Sequence, residues 1–210
     1  MPSPADLPPQ YAYAEYMHAL RGCIRRVDKI ISGHSPMKNE EWDTEVVCLM
    51  LRKSFEHVAF ASLVAHREVY SAVFADFETH WSAKRLLQKL EKVHPDFYPS
   101  PVSIPVQQLG SVKHLPEVED DFLTKDEFVL LYDVCSQVIH TRNPYKAGPW
   151  VIDTGRSLRE WASHLKRLLH VHYIRLSAVP GVWLVQMVHP HDGKVHVFSC
   201  EPVKGPTGEL

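Results

Sequence analysis

The sequence predicts a mainly α-helical protein, in which a helical bundle is followed by one more helix and a three-stranded antiparallel β-meander. Three observations predict this α+β arrangement. Apolar residues recur at helical spacing in four segments of the first 148 residues. Residues 46–70 are apolar on nearly every side, which is typical of a central buried helix. After residue 170, three short runs rich in β-branched and aromatic residues are separated by turn signals.

The composition is that of an ordinary globular protein. With 210 residues, of which 45% are hydrophobic, the chain can bury a core without disulfides or metal. A net charge of −2 gives no strong field toward nucleic acid or a membrane surface. The four cysteines form no Cys-x-x-Cys pair, which favours buried thiols in a reducing compartment. Because neither a signal peptide nor a run of about 18 apolar residues is present, we expect a cytoplasmic protein without a membrane partner.

The bundle is predicted to contain four helices. They cover about residues 13–31, 46–70, 81–93 and 124–140. Gly33 is a natural stop for the first helix. Asp43 or Thr44 can cap the second helix. The pair Thr124 and Glu127 has the spacing of a capping box, which predicts the start of the fourth helix.

The C-terminal part changes from a helical to a strand pattern. Asp153 or Thr154 is the predicted cap of a further helix. The three predicted strands cover residues 171–177, 182–189 and 194–200. Pro180-Gly181 and Asp192-Gly193 lie in the connections and are hairpin signals. Because so small a sheet is marginal alone, it is expected to pack on the bundle.

The segment 95–123 interrupts the bundle with prolines and an acidic run. A structureless segment of this length is unusual inside a compact domain. It is either a partner-binding or lid loop or an extended strap, and we favour the strap. The predicted division is residues 1–9 as a loose lead-in, 10–148 as the helical bundle, 149–203 as the C-terminal helix and meander, and 204–210 as a tail.

A polar turn in the otherwise apolar second helix is the first candidate site. Arg52 and Glu56 lie one turn apart on one face, and His57 is their neighbour. An exposed pair would contribute only a few tenths of a kcal/mol, whereas a partly buried pair is costly unless well satisfied. The pair is therefore either a structural buttress or part of a ligand or catalytic site.

The end of the fourth helix is the second candidate site. His140 is followed closely by Arg142, Asn143 and Tyr145. A histidine can move a proton and an arginine can hold a phosphate, which suits phosphodiester chemistry. The alternative is a histidine that interacts with the helix dipole, followed by a capping asparagine.

Five histidines in the C-terminal part form the third candidate. They are His170, His172, His189, His191 and His196. Adjacent strands can bring three of them together, and three histidines can hold zinc. The sequence nevertheless suggests no acidic or cysteine partner at ligand spacing, which favours exposed strand histidines. We therefore predict no metal and no cofactor.

Two segments resemble bacterial proteins of the HEPN superfamily, and in particular uncharacterised members from bacteria and their mobile elements. They are LRKSFEHVAFASL (51–63) and LYDVCSQVIHTRNPY (131–145). The resemblance covers about residues 10–146. It implies a HEPN-like bundle of about four helices, with Arg52 and Glu56 in the second core helix and His140 closing the last one. It also implies homodimerisation.

Many members of the superfamily are metal-independent ribonucleases with an arginine four to six residues before a histidine. No arginine stands at 131–135, upstream of His140. A motif beginning at Arg142 would need its histidine where Ala147 stands. The resemblance therefore implies the fold more strongly than the activity, and inactive members commonly serve in binding or dimerisation.

Two functions follow as expectations. The first is a non-catalytic binding or interaction protein of a bacterial mobile-element or defence locus. Its polar site would lie near Arg52, Glu56 and His140, and its partner would be RNA, a nucleotide or a protein. The alternative is a metal-independent ribonuclease of toxin or antiphage type. In that enzyme His140 would be the general acid/base, and Arg52 or Arg142 would bind phosphate.

Overall fold

The computed structural model has an α+β architecture. It describes residues 7–35, 38–74, 82–103, 115–141, 145, 152–177 and 181–201. Within these ranges the helices are α1 Pro9–Ile31, α2 Glu40–Ala65, α3 Arg67–Val73, α4 Ala83–Val93, α5 Lys125–Ile139 and α6 Leu158–His170. The strands are β1 Ser100–Pro101, β2 Val171–Arg175, β3 Val182–Gln186 and β4 His196–Cys200. The predicted tail, 204–210, lies outside the described residues.

The helix starts follow side-chain capping. The capping box of Thr124 and Glu127 opens α5 as predicted. The predicted cap of α2 is wrong, because the Asn39 side chain accepts the Trp42 backbone N–H and the helix starts earlier. The predicted cap of α6 at Asp153 or Thr154 is wrong too. A second capping box, formed by Ser157 and Glu160, opens that helix instead.

The predicted central helix is two helices. The α-helical hydrogen bonds of α2 end at His66, whose backbone takes φ −114° and ψ 18°. The chain resumes as the short helix α3, with the Tyr70 N–H bonded to the His66 carbonyl. The turn buries His66 completely, so that its side chain lies at the point where α2 meets α3.

Helix α2 is the centre of the hydrophobic core, and it packs on α1, α4 and α5. Its buried residues face in several directions, as the near-continuous apolar sequence predicts. Phe55 is fully buried and packs against Phe128 of α5 with ring centroids 4.6 Å apart. Cys23, Cys48 and Cys135 are buried free thiols, in agreement with the expectation from their spacing. Among the described residues, no helix has the length and hydropathy to cross a membrane.

The sheet has the strand order β1-β2-β3-β4, and all of its pairings are antiparallel. The three predicted strands are confirmed as β2, β3 and β4. The prediction of only three strands is wrong, because Ser100 and Pro101 add β1 at the edge. A strand of two residues is too short to show an alternating sequence pattern. Its proline is tolerated because an edge strand has no second neighbour that would need the missing backbone N–H.

The described parts of segment 95–123 pack on the rest of the fold, and residues 104–114 lie outside the described residues. Phe97 and Leu123 enter the main core. Val102 and Leu115 pack with Val171 of β2 in a second, smaller cluster on one side of the sheet. The choice between a strap and a partner-binding or lid loop stays a prediction.

The other side of the sheet packs on α1 through a buried histidine. The Tyr13 hydroxyl donates to His172 Nε2 at 2.8 Å, and His172 Nδ1–H donates to the Leu169 carbonyl at 3.0 Å. Burial lowers the pKa of His172 to about 4, so the ring is neutral at pH 7. The prediction of an exposed strand histidine is therefore wrong for His172. One hydrophobic core spans the bundle and the sheet.

Candidate functional site

Arg52 and Glu56 contact each other, as their spacing predicts. Arg52 Nε lies 3.4 Å from Glu56 Oε1, and the side chains are 22% and 33% exposed. The Arg52 guanidinium also lies over the Tyr132 ring of α5, 5.2 Å from its centroid. Both partners are structural, so the guanidinium links α2 to α5.

The packing of α2 against α5 fixes the position of His140. Arg52 lies over Tyr132 and Phe55 packs on Phe128, so α2 and α5 run antiparallel. His140 follows Tyr132 by eight residues. At 1.5 Å per residue, this places it roughly 12 Å further along the helix axis. The structure therefore brings Arg52 to Glu56 and leaves His140 exposed at the end of α5.

The other predicted residues are dispersed. His57 lies on the α1 side of α2, with its ring 6.1 Å from that of Tyr16. Burial, together with the nearby Lys53 charge, lowers the pKa of His57. Tyr145 is exposed. Arg142 and Asn143, predicted as binding residues, lie outside the described residues.

A groove of about 980 Å³ lies where the bundle meets the sheet. We call it the junction groove. The first turn of α1, the α2–α3 turn and the Gly181 end of the sheet surround it. Its lining residues are Pro9, Gln10, Val64, Ala65, His66, Arg67, Glu68, Val69, Ser71, Leu176, Gly181, Val182, Trp183, Ser199, Cys200 and Glu201. The volume is at the upper end of the range of small-molecule sites in proteins.

His66 is the buried polar residue of the junction groove. Its Nδ1 shares a hydrogen bond of 3.3 Å with the Ser177 hydroxyl, and its ring lies 4.8 Å from that of His94. Burial, with a smaller contribution from His94, lowers the pKa of His66 to about 4. Nε2 of His66 has no hydrogen-bond partner in the described part of the chain, and it is buried beneath the groove surface. An unpaired buried polar atom costs about 1–3 kcal/mol.

Gly181 shapes the sheet side of the junction groove. A Cβ at this position would lie 3.0 Å from the Cys200 carbonyl oxygen, so a larger residue would force β3 and β4 apart. The close approach holds Val182 and Cys200 in the groove wall.

The contact of His66 with Ser177 resembles the histidine–serine pair of a hydrolase, but the group that would hold the second histidine nitrogen is missing among the described residues. A serine nucleophile needs a histidine whose second nitrogen is held by a carboxylate or a similar group. Among the described residues, His66 Nε2 has no such partner. The arrangement can hold a ligand by hydrogen bonding and apolar contact, and it does not assemble a hydrolytic triad.

Sequence reasoning missed the junction groove because its residues come from distant parts of the chain. Two local signals pointed to it. One is His66 at the end of an apolar helix, and the other is the Pro180-Gly181 turn. No family model, curated protein or solved structure matches this chain. The resemblance to the HEPN superfamily stays a prediction.

Proposed function

We propose that the protein is a non-catalytic binding protein whose ligand occupies the junction groove. One observation carries the proposal: the groove of about 980 Å³ is lined from both the bundle and the sheet, largely by apolar residues. The helical part is proposed to be HEPN-like. The bacterial mobile-element or defence setting and the homodimer implied by the resemblance stay predictions.

The lining of the junction groove indicates the chemistry of the ligand. Val69, Val182 and Trp183 offer apolar surface to an apolar body. Gln10 and Ser199, which hydrogen bond to each other at 3.1 Å, offer polar groups on the same lining. The proposed ligand is therefore a small organic molecule with an apolar body and a polar, hydrogen-bonding end.

The positions of Arg52 and His140 argue against the form of the ribonuclease alternative in which Arg52 binds the phosphate, whereas Arg142 lies outside the described residues. A general acid/base must lie within hydrogen-bond reach of its proton, with the phosphate-binding cation beside it. Here the Arg52 guanidinium contacts Glu56 and Tyr132, and His140 lies roughly 12 Å along the helix axis from Tyr132. The proposed ligand site is accordingly the junction groove and not the Arg52 face.

Replacement of Val69 by arginine is expected to weaken ligand binding at the junction groove. The probe is prodan, an uncharged naphthalene dye with a polar ketone at one end, which fluoresces strongly in apolar sites. A charge placed on the apolar wall should lower its affinity by roughly tenfold or more, which corresponds to about 1.4 kcal/mol. A fluorescence titration of the folded full chain measures the dissociation constant.

The matched control is Val73→Arg. Val73 lies on the same helix α3 but is exposed and outside the groove lining. The control should bind the dye as the native chain does, with an unchanged thermal midpoint for both variants. Equal loss in both variants, or none in either, would contradict the proposed groove site.

Incubation with total RNA in the absence of added metal is expected to leave the RNA intact. The Arg52 guanidinium contacts Glu56 and Tyr132, and His140 follows Tyr132 by roughly 12 Å along the helix axis, so the described residues do not pair Arg52 with His140 at one phosphate. Gel electrophoresis of the RNA over time, with native protein beside His140→Ala, measures cleavage. Cleavage that is lost in His140→Ala would establish the ribonuclease alternative and refute the binding proposal.

A further inference from the structure

Three potential metal ligands meet in the hairpin between β3 and β4. One ligand atom each from His189, Asp192 and His196 lies within 4.8 Å of the others. His196 Nε2 is 3.0 Å from one Asp192 carboxylate oxygen, and His189 Nδ1 is 3.9 Å from the other. The two imidazole rings stack at a centroid distance of 4.2 Å. His189 Nδ1 also accepts the His191 backbone N–H at 3.3 Å, a long hydrogen bond that a metal ion would replace.

The hairpin backbone holds these side chains in place. The His189 N–H donates to the Lys194 carbonyl and the Gly193 N–H donates to the His189 carbonyl, both at 2.8 Å. Gly193 adopts φ +67°, which glycine tolerates and other residues rarely adopt. Arg21 of α1 donates to the Gly193 carbonyl at 2.9 Å and anchors the turn on the bundle. The three ligands thus lie on a fixed scaffold.

The charge of the cluster suits a cation. The Lys194 backbone N–H donates to Asp192 at 2.9 Å. An exposed aspartate carboxylate is ionised at neutral pH, and that of Asp192 retains lone pairs beyond those used by its hydrogen bonds.

We propose that His189, Asp192 and His196 bind one divalent transition-metal ion, with Zn²⁺ as the best fit. Two imidazole nitrogens and one carboxylate oxygen are ligands that Zn²⁺ accepts at about 2.0–2.2 Å. In a tetrahedral site, neighbouring ligand atoms lie roughly 3.3 Å apart, so small side-chain rotations close the present separations. The remaining coordination position is filled by water or by a further ligand.

Sequence reasoning does not identify this site, because it interprets Asp192 only as a turn residue. Asp192 stands in an Asp-Gly pair, which predicts a hairpin turn, and the turn is present. The same residue is the acidic partner that sequence reasoning did not find for the histidines. The predicted absence of an acidic ligand is therefore wrong, because the hairpin places the Asp192 carboxylate beside both stacked imidazoles.

Calorimetric titration of Zn²⁺ into the chelator-treated full chain at about pH 7.5, where free imidazoles are neutral, tests the site. The native chain should bind one equivalent. Asp192→Asn and His196→Ala should each lower the affinity roughly tenfold or more, as loss of a ligand does. The matched control is His18→Ala, which removes an exposed histidine of α1 outside the cluster.

Co²⁺ in place of Zn²⁺ gives a second readout, because its visible absorption reports coordination by the protein. Asp192→Asn keeps an oxygen for the Lys194 N–H, so the metal-free variant should keep the native thermal midpoint. Lack of saturable Zn²⁺ binding at micromolar concentrations would overturn the proposal. Binding that is unchanged in both cluster variants, or lost equally in His18→Ala, would overturn it too.

Discussion

Lowering the pH from about 7.5 to about 5 is expected to remove roughly 4 kcal/mol of the free energy of unfolding. The cause is the burial of two neutral histidines. His172 is enclosed between α1 and the sheet, and His66 between α2, α3 and the strand ends. Burial lowers the pKa of each to about 4, whereas an unfolded histidine titrates near 6.5.

The direction of the effect follows from proton binding. Between pH 6.5 and 4 the unfolded chain takes up protons at His66 and His172, and the folded chain does not. The stability contribution is therefore complete above pH 6.5, falls as the pH falls, and is lost below 4. Each histidine accounts for roughly 2 kcal/mol at pH 5, and the sum is a large part of the 5–15 kcal/mol typical of a domain.

Urea unfolding at a series of pH values measures this loss. In His172→Gln one of the two titrating groups is absent, so its stability should fall only about half as steeply with pH. The control His34→Gln alters an exposed histidine and should keep the native slope. A free energy of unfolding that is equal at pH 7.5 and 5 would show that these two rings are not buried as neutral groups.

Phe55→Ala is expected to destabilise the protein by about 3–5 kcal/mol. The side chain is fully buried at the centre of α2, and its ring packs on that of Phe128. Truncation removes the transfer free energy of the ring and leaves a cavity between two rigid helices. The shift of the urea midpoint at constant slope measures the loss.

Leu130→Ala is the control for this substitution. Leu130 lies on α5 with 52% of its surface exposed, and its truncation should change the stability by only about 0.5 kcal/mol. If Phe55→Ala costs no more than Leu130→Ala, α2 is not the centre of the core.

The elements that the sequence predicts well are those encoded by neighbouring residues. The capping box of Thr124 and Glu127 needs only four residues, and the structure confirms it. The Asp192-Gly193 turn and the two strands that it joins are likewise encoded by residues close together in the sequence. The contact of Arg52 with Glu56 follows from their spacing of four residues, which is about one turn of a helix.

The features that sequence reasoning missed depend on partners far along the chain. His172 is buried because Tyr13, 159 residues away, covers it and supplies a hydrogen bond. Strand β1 exists because β2 offers an edge for two residues of segment 95–123. The break after α2 also has no local marker such as glycine or proline. The junction groove likewise combines the start of α1, the α2–α3 turn and the ends of β3 and β4, so no short motif encodes it.

Methyl NMR with the uncharged dye prodan tests the central claim, that the ligand site is the junction groove, most directly. Val69 and Val182 line the groove, and the partly exposed Leu49 lies on α2 one turn before Arg52. The account predicts saturable shifts of the Val69 and Val182 methyl signals, with those of Leu49 unchanged. Shifts confined to Leu49, with Val69 and Val182 unaffected, would contradict it and place the ligand at the Arg52 face.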